Sequence, residues 1–391
     1  MCEVVNGGTP KTGISEYWGG ENLWITPAEM GKRLNPYVSD TERKITDLGL
    51  HSSSAQMLPP NSVILSSRAP IGHLVINTKP MATNQGCKGL IPCSKLQHKY
   101  LYYYLSSNVD LLNSLGTGAT FKELSGSKLK EVPIPVPPFH DQQRIVSILD
   151  DAFIAIAAAK ENAERNLQNS RTLYENYLQS IFINRGEEWR IKPLGDLAIF
   201  RNGINYTKNS RGECIKIVGV KDFQNNYWTP LENLDIVRID GNLAEHDVLK
   251  KGDILAVRSN GNIELIGRCI LAGDIPGKIS HSGFTIRIRL SSSEVLPEYL
   301  CYFMKSRASR KRLIDNGTGT NIKSLNQTTL STLEVPYPPI SQQRILITKI
   351  ETLSTKTKKL ESIYQKKLAD LDELKKSILH KAFNGVLSGA H

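Results

Sequence analysis

The amino-acid sequence contains an internal repeat with a period of about 200 residues. A short apolar segment that ends in Arg68 has a counterpart that ends in Arg258. Three further landmarks follow in the same order in each half: Gly-Thr-Gly at 116–118 and 317–319, a Val-Pro-rich stretch at 131–138 and 334–339, and Gln-Gln-Arg-Ile at 142–145 and 342–345. Because four landmarks agree in order, we expect two domains of the same fold.

The first part of each repeat, residues 1–138 and 185–339, is predicted to be a compact α+β domain. Short β-branched and aromatic runs, such as residues 284–290, are broken by Gly, Pro, Asn and Ser, which is typical of strands joined by turns. Helical stretches at 99–112 and 298–314 interrupt the strands.

The second part of each repeat, residues 139–184 and 340–391, is predicted to be a long helix. Residues 141–182 and 342–383 lack Pro and Gly, and their apolar or small residues recur at steps of four and three, as in a coiled-coil seam. We expect the two helices to pair antiparallel and to separate the two domains about a pseudo-two-fold axis. The alternative is two separate helices, each packed on its own domain. The predicted seam of the central helix is Ile145, Leu149, Ala152, Ile156, Ala159, Ala163, Asn166, Ser170, Leu173 and Tyr177.

The composition favours a soluble cytoplasmic protein with an anionic partner. Lys and Arg total 49 against 38 Asp and Glu, a net charge of +11 that is spread over both large domains and the C-terminal helix. This balance suits phosphate binding along an extended surface, although it also fits a merely basic protein. The six cysteines form no Cys-x-x-Cys pair, and no signal peptide or membrane-spanning run is recognisable.

Several motifs resemble the DNA specificity subunits of type I restriction-modification systems. They are the opening residues 6–10, 16–20 and 24–27, the Gly-Thr-Gly, Val-Pro-x-Pro and Gln-Gln-Arg elements of both halves, and residues 373–379 and 381–385 near the end. The second half opens with residues 189–197 before Gly203, as the family does, whereas only five residues precede Asn6 in the first half. The second half also has Asn205-Tyr206-Thr207 where the first has Tyr-Trp-Gly-Gly.

The resemblance implies a non-catalytic subunit that binds a two-part DNA target, with one half read by each of the target-recognition domains 1–138 and 185–339. Such subunits assemble with two methyltransferase subunits and, in the full complex, with restriction (translocase) subunits. The modification is adenine N6 methylation. S-adenosylmethionine belongs to the methyltransferase partner, so no cofactor is expected on this chain.

DNA recognition needs basic side chains for phosphates and forked or amide groups for base edges. Loop-like stretches supply both, and the Gly-Thr-Gly loops add close backbone approach. The alternatives are core packing for Trp18 and Trp24 and structural ion pairs for Arg68 and Arg258. The predicted DNA-binding residues are Lys11, Thr12, Tyr17, Arg68, Lys88, Thr117, Thr120 and Lys122 in the first half, and Arg201, Asn205, Tyr206, Lys208, Arg258, Asn260, Asn262, Thr318 and Lys323 in the second.

The start of each helix is a candidate docking surface for the methyltransferase, since the resemblance implies contacts there. The residues concerned are Gln142, Gln143 and Arg144, and their sequence counterparts Gln342, Gln343 and Arg344. Hydrogen bonding at the helix start is an equally good interpretation. The preceding Val-Pro stretches are predicted to be rigid connectors.

Motifs for catalysis are weak in this sequence. Residues 137–139 resemble the Pro-Pro-aromatic core of an adenine methyltransferase, but Val136 stands where Asn or Asp is required. Glu373 and Lys375 have the spacing of some nucleases without a placed Asp partner. Phosphate-cradling Gly loops and recognisable metal-ligand spacings are missing. The alternative functions are a stand-alone DNA-modifying enzyme and a coiled-coil assembly scaffold.

Overall fold

The chain divides into two units by its internal contacts. Unit 1 comprises Met1–Glu164 and Lys366–His391, and unit 2 comprises Arg165–Gln365. Within the described part of the chain, no helix combines the length and the apolar character needed to cross a bilayer. The computed structural model describes residues 1–33, 35–68, 70–118, 122–224, 226–315 and 324–383.

Eight short strands form two sheets in unit 1. They are β1 (Cys2–Asn6), β2 (Trp18–Ile25), β3 (Tyr37–Val38), β4 (Arg43–Ile45), β5 (Val63–Ser66), β6 (Leu74–Asn77), β7 (Ala82–Thr83) and β8 (Cys87–Pro92). The larger sheet has the order β1-β8-β5-β6-β3, and the smaller has the order β4-β2-β7. β5 is buried along its whole length, which is why it reads as a continuous apolar run in the sequence.

Short helices pack on both sheets of unit 1. They are α1 (Pro27–Met30), α2 (Asp47–His51), α3 (His98–Ser107), α4 (Val109–Leu115) and α5 (Gly126–Lys130), and the long helix α6 (Phe139–Ile183) follows. α3, α4 and α5 pack on one face of the larger sheet, whereas α1 packs on the opposite face and α2 packs against the smaller sheet. Gln97 caps α3 by accepting a hydrogen bond from the Tyr100 N–H at 2.6 Å. Tyr100, Leu101 and Leu105 of α3 share a core with the strand residue Leu65.

Unit 2 has the same kind of architecture. Its strands are β9 (Arg190–Pro193), β10 (Ala198–Asn202), β11 (Cys214–Val218), β12 (Asp235–Arg238), β13 (Ile254–Val257), β14 (Cys269–Leu271), β15 (Ile279–His281), β16 (Thr285–Leu290) and β17 (Glu334–Tyr337), and its helices are α7 (Pro297–Lys305), α8 (Arg307–Asp315), α9 (Gln327–Ser331) and the long α10 (Ile340–Phe383). The sheets have the orders β10-β16-β13-β14, β12-β11-β15 and β17-β9.

The strand register establishes the duplication residue by residue. β8 lies between β1 and β5, and β16 lies between β10 and β13, with antiparallel pairing in every case. The residues aligned across these three strands are Val4, Leu90 and Val63 in unit 1, and Phe200, Ile288 and Ile254 in unit 2. The expectation of two domains of one α+β fold is therefore confirmed.

The long helices pair antiparallel inside each unit, as predicted. In unit 1, Lys160 of α6 forms an ion pair with Asp372 of α10, and the Lys375 ammonium lies 5.0 Å from the Phe153 ring centroid. In unit 2, Arg171 of α6 pairs with Glu361 of α10 at 3.2 Å. As the residue numbers increase along α6, the residue numbers of the contacted positions on α10 decrease. The two helices therefore run antiparallel. The pseudo-two-fold placement of the two units stays a prediction.

The seam of α6 differs from the predicted one at two positions. Asn166 and Leu173 face solvent, and Leu173 is 53% exposed. Leu167 and Tyr174 are partly buried in their place. After Ala159, the buried positions are therefore spaced by four residues twice in succession, to Ala163 and then to Leu167. A straight α-helix drifts relative to a strict seven-residue repeat, and an occasional extra step of four keeps the buried stripe continuous.

Burial along α6 predicts different effects on stability when two leucines of this helix are truncated to alanine. Leu178→Ala should lower the free energy of unfolding by about 2–5 kcal/mol, because Leu178 is 4% exposed within the unit 2 core. Leu173→Ala should change it by less than about 0.5 kcal/mol, as expected for an exposed site. Urea unfolding of both variants measures the difference, and equal losses would contradict the assignment.

Candidate DNA interface

The loop after β1 is held in place by two tryptophans. The indole N–H of Trp24 donates to the Gly8 carbonyl at 2.9 Å, and that of Trp18 donates to the Lys11 carbonyl at 3.3 Å. Trp24 is 1% exposed, so it is a core residue, whereas Trp18 is half-buried. The side chains of Lys11 and Thr12 are exposed on this anchored loop, where a phosphate can reach them.

Arg43 of β4 belongs to the same surface, although the sequence analysis missed it. Its guanidinium carbon lies 3.9 Å from the centroid of the Trp18 ring, and the side chain is exposed. Stacking on an aromatic face orients the planar donors of an arginine. Arg43 is hard to recognise as a candidate from the sequence alone, because it comes next to Trp18 only when β4 pairs with β2.

A second group of predicted residues comes together beyond the end of β5. Arg68 pairs with Glu123 both as an isolated antiparallel bridge and as an ion pair at 3.1 Å. Thr117 exchanges two backbone hydrogen bonds with Glu123, at 2.9 and 3.0 Å. Lys122 is exposed beside them, and burial lowers the pKa of the Lys88 ammonium while the Glu123 charge opposes that shift. Four predicted residues therefore lie around Glu123: Arg68 pairs with its carboxylate, Thr117 with its backbone, Lys88 is affected by its charge and Lys122 precedes it in the chain.

The first Gly-Thr-Gly loop favours glycine at position 118 by its backbone conformation and at position 116 by close packing. Gly118 has φ of +121°, a conformation that L side chains rarely adopt. A Cβ on Gly116 would lie 2.8 Å from Cδ1 of Ile71. Among the predicted residues, Thr120, Thr318 and Lys323 lie outside the described residues, as does the second Gly-Thr-Gly loop.

The two groups of unit 1 are connected through the loop before β8. The Asn84 side chain donates to the Thr9 hydroxyl at 3.0 Å and accepts from the Gly86 N–H at 2.8 Å. Gly86 in turn packs near Cδ of Arg68. The loop that carries Lys11 and the group around Arg68 are therefore connected by a chain of contacts through Asn84 and Gly86.

The predicted DNA-binding residues of unit 2 are arranged differently from those of unit 1. Arg201 forms an ion pair with Asp247, and the exposed Tyr206 and Lys208 follow on the next loop. Asn205 is exposed and packs with its side-chain oxygen against Gly283. The Arg201 side chain is 42% exposed despite its ion pair, so Arg201 stays a predicted DNA-binding residue together with those of the exposed loop.

Asn260 and Asn262 form two successive turns after β13. The Asn260 side chain accepts from the Asn262 N–H at 2.9 Å, and the Asn262 side chain accepts from the Glu264 N–H at 2.9 Å. Each side-chain oxygen replaces a backbone acceptor, which is the usual behaviour of Asn in turns. Their amide NH₂ groups are the parts that remain to read a base edge.

A buried charged network lies beneath this surface. Arg287 is 3% exposed and donates to the His246 carbonyl at 2.7 Å, and Arg289 forms a bidentate pair with Asp253 at 2.6 and 2.7 Å. Burial, reinforced by the charge of Arg287, lowers the pKa of His281 to about 3. His281 is therefore neutral at physiological pH.

Arg68 and Arg258 are not equivalent, which corrects the sequence alignment. The Leu124 N–H donates to the Ser67 carbonyl, and the Leu325 N–H donates to the Arg258 carbonyl, both at 2.8 Å. Arg258 therefore corresponds to Ser67, and Arg68 corresponds to Ser259. Successive side chains of an extended chain point to opposite faces, so the shift by one residue changes which side each arginine occupies.

The glutamines at the two helix starts also correspond with a shift of one residue relative to the sequence repeat. The Gln142 side chain donates to the carbonyls of Lys95 and Pro137 at 2.9 and 2.8 Å and accepts from the Gln97 N–H at 2.9 Å. The same three contacts are made in unit 2 by Gln343, and not by Gln342. The partners of Gln343 are Glu294, Pro338 and Leu296, at 2.7, 2.8 and 2.9 Å.

The shift arises because one more residue lies between the Pro-Pro pair and the Gln-Gln pair in the first copy. Gln142 and Gln343 are both 0% exposed, so their side chains lock each connector to its helix. Gln143, Arg144, Gln342 and Arg344 are exposed, and they remain the predicted docking residues.

The chain is a duplicated α+β protein by fold, and comparison with known proteins gives its family. The family model described as "Type I restriction modification DNA specificity domain" matches residues 1–166 and 186–368. The chain therefore belongs to the type I restriction-modification DNA specificity family, and the two matched ranges are its two copies of that domain.

Individual relatives agree with this assignment. The MjaIX specificity subunit of Methanocaldococcus jannaschii is 35% identical over 219 residues, which cover 52% of this chain and 51% of that protein. The StySPI specificity subunit of Salmonella potsdam is 24% identical and covers 85% of this chain and 76% of that protein. The alignment with the first of these relatives thus spans about half of its length.

Solved structures support the fold at low sequence identity. The HsdS subunit from Thermoanaerobacter tengcongensis has a TM-score of 0.62 at 15% identity, with coverage of 98% of this chain and 97% of that chain. A structure reported as the basis of complex assembly and conformational transition of the type I R-M system has a TM-score of 0.77 at 15% identity, with 98% of both chains covered.

The equivalence of Gln142 and Gln343 can be tested with adjacent glutamines. Gln343→Ala should lower the free energy of unfolding by about 2–4 kcal/mol, because it leaves buried backbone groups without partners. Gln342→Ala, its matched control, should cost less than about 1 kcal/mol, since the Gln342 side chain is exposed and donates a solvent-exposed hydrogen bond to Glu188. Thermal and urea unfolding measure both, and a larger loss for Gln342→Ala would overturn the shifted alignment.

Proposed function

We propose that this chain is the DNA-reading specificity subunit of a type I restriction-modification complex in the cytoplasm. Each unit binds one half of a two-part target. The assembled complex contains two adenine-N6 methyltransferase subunits and, in its restricting form, restriction subunits. S-adenosylmethionine binds to the methyltransferase partner. The observation that carries this proposal is the duplication, in which both units have the family's domain with the same strand register.

The contacts with phosphate are assigned to exposed basic side chains on anchored loops. Lys11 and Lys122 in unit 1 and Lys208 in unit 2 are exposed. Their loops are held by the Trp18–Lys11 contact, by the Thr117–Glu123 pairing and by the Ser210–Asp240 hydrogen bond at 3.0 Å. Anchoring lowers the entropy lost on binding, which favours these lysines as contacts.

Reading of base edges is assigned to planar side chains on the same surfaces. The stacked guanidinium of Arg43 can donate two parallel hydrogen bonds to guanine, and the amides of Asn260 and Asn262 suit adenine. Because the two units differ in these side chains, we propose that they read different half-targets.

The helix length is proposed to set the distance between the half-targets. Seven residues inserted after Glu164, and seven inserted after Gln365, extend both helices by one heptad and preserve the seam. The added length is about 10 Å, so the preferred spacer should grow by roughly three base pairs. Sequencing of N6-methyladenine in cells that carry the variant, compared with the parent, gives the spacer directly. An unchanged spacer would contradict this ruler.

Domain exchange tests whether each unit reads one half. Replacing residues 1–138 by the corresponding domain of another specificity subunit should alter one half-target and leave the other unchanged.

Methylation by the chain alone, without a methyltransferase partner, would favour the enzyme alternative. Absence of any sequence preference in the partnered complex would favour the scaffold alternative.

A single lysine tests the phosphate surface. Lys122→Ala should weaken binding of the partnered complex to all DNA sequences about equally and should reduce the slope of log K against log salt concentration by about 1. Lys128→Ala is the control, because the Lys128 ammonium is paired with Glu131 at 3.1 Å. Fluorescence anisotropy over a salt series measures both slopes, and identical slopes for the two variants would remove Lys122 from the interface.

A further inference from the structure

A small pocket of unit 2 is lined by three cationic side chains. Its volume is about 270 Å³, and Arg268, Lys305 and Arg310 line it together with Phe223 and Cys269. All of these residues belong to unit 2. No Asp or Glu is found among the described residues of the lining. Pockets for drug-sized ligands have volumes of about 300–1,000 Å³, so this positively charged pocket suits a small anion.

Backbone carbonyl groups hold the three cations in place. Arg268 donates from Nε to the Glu264 carbonyl at 3.1 Å, and Arg310 donates to the same carbonyl. The Lys305 ammonium donates to the Asn226 carbonyl at 3.1 Å. A guanidinium has five N–H donors and an ammonium has three, so each cation keeps further donors for a ligand. Because a carbonyl carries no net charge, these contacts orient the positive charges without neutralising them.

The guanidinium of Arg310 is incompletely satisfied. Its Nε atom is buried and has no hydrogen-bond partner among the described residues. Burial lowers the pKa of Arg310, the charge of Arg268 lowers it further, and the charge of Glu264 opposes both effects. A buried donor without an acceptor is unfavourable, so an anion in the pocket would stabilise this side chain.

Hydrogen bonds at the end of β13 identify the counterpart of Arg268 in unit 1. The N–H of Val257, the last residue of β13, donates to the Arg268 carbonyl at 2.8 Å. The N–H of Ser66, the last residue of β5, donates to the His73 carbonyl at 2.8 Å. His73 therefore corresponds to Arg268.

The helices that follow identify the counterpart of Lys305. The hydroxyls of Tyr100 in α3 and Tyr299 in α7 each donate to a proline carbonyl of the Val-Pro stretch, so these two tyrosines are equivalent. Six residues further along the chain are Ser106 in unit 1 and Lys305 in unit 2. Ser106 therefore corresponds to Lys305.

Close packing identifies the counterpart of Arg310. Gly72 and Gly267 are equivalent, because each comes directly before the matched histidine or arginine. A Cβ on Gly72 would lie 2.6 Å from Cγ1 of Val109, and a Cβ on Gly267 would lie 3.8 Å from Cγ of Arg310. Unit 1 therefore has His, Ser and Val where unit 2 has three cations, and the charge of the pocket distinguishes the two units.

We propose that this pocket binds one phosphate group through Arg268, Lys305 and Arg310. Arginine binds phosphate through parallel N–H donors, and lysine binds it as a point charge. Both arginines also donate to Glu264, which follows the two asparagine turns of unit 2, so the phosphate would be connected to those turns. A phosphate of the DNA backbone and a free phosphate ion present the same oxygens. The pocket does not depend on DNA recognition, whereas DNA as the source of the phosphate rests on the proposed function.

Inorganic phosphate and the full-length chain test the pocket directly. Isothermal titration calorimetry at constant ionic strength should show saturable binding. Lys305→Ser, which introduces the unit 1 residue, should weaken that binding at least about tenfold through the loss of one charge-assisted hydrogen bond. Arg310→Val, the second unit 1 residue, should have an effect of the same sign. Lys311→Ser, the same substitution at an exposed lysine of α8, should leave the affinity unchanged.

Two results of this titration would overturn the proposal. One is the lack of saturable phosphate binding by the parent chain. The other is an affinity that is the same in the parent, Lys305→Ser and Arg310→Val, since phosphate would then bind outside the pocket. Neither result depends on whether the chain recognises DNA, so failure here is distinct from failure of the proposed function.

DNA binding by the partnered complex identifies the source of the phosphate. If a backbone phosphate occupies the pocket, Lys305→Ser should reduce the slope of log K against log salt concentration by about 1, and Lys311→Ser should not. An unchanged slope, together with weakened phosphate binding by the Lys305→Ser chain, would identify free phosphate as the ligand. A changed slope without phosphate binding by the parent chain would again overturn the pocket.

Discussion

The structure depends on how the ends of the two long helices complete the cores of the units. Phe182, near the end of α6, packs edge-to-face against Tyr299 and Phe303 in unit 2. Phe383, at the end of α10, packs in the same way against Tyr100 and Tyr104 in unit 1. Each core is therefore built from residues far apart in the sequence, and the antiparallel order of the helices is a direct consequence. Aromatic pairs of this kind add to the free energy of burial.

The buried glutamines couple this helical framework to the recognition surfaces. Gln142 and Gln343 each join a Pro-rich connector, the loop before a core helix and the start of a long helix through three hydrogen bonds. A buried amide with all partners satisfied specifies one geometry, because any displacement leaves polar groups unpaired. The two units thus share a rigid frame while their outer loops differ.

The two units differ in the charged groups that they carry on this frame. Unit 1 has the Arg68–Glu123 ion pair, whereas unit 2 has Ser259 and Ser324 as the corresponding bridge. Unit 2 instead has an internal arginine network with Asp247 and Asp253. A common frame with different charged groups is consistent with two domains that read different sequences.

The sequence by itself determined the duplication, the two long helices and the family, because repeated motifs and helical periodicity are local patterns that survive without coordinates. Only the tertiary structure decided that Gln142 matches Gln343, that Arg68 matches Ser259, and that Leu173 lies outside the seam. These assignments follow from hydrogen-bond partners and burial, which depend on residues distant in the chain. Arg43 became a candidate for the same reason, since its stacking on Trp18 requires β2 and β4 to pair.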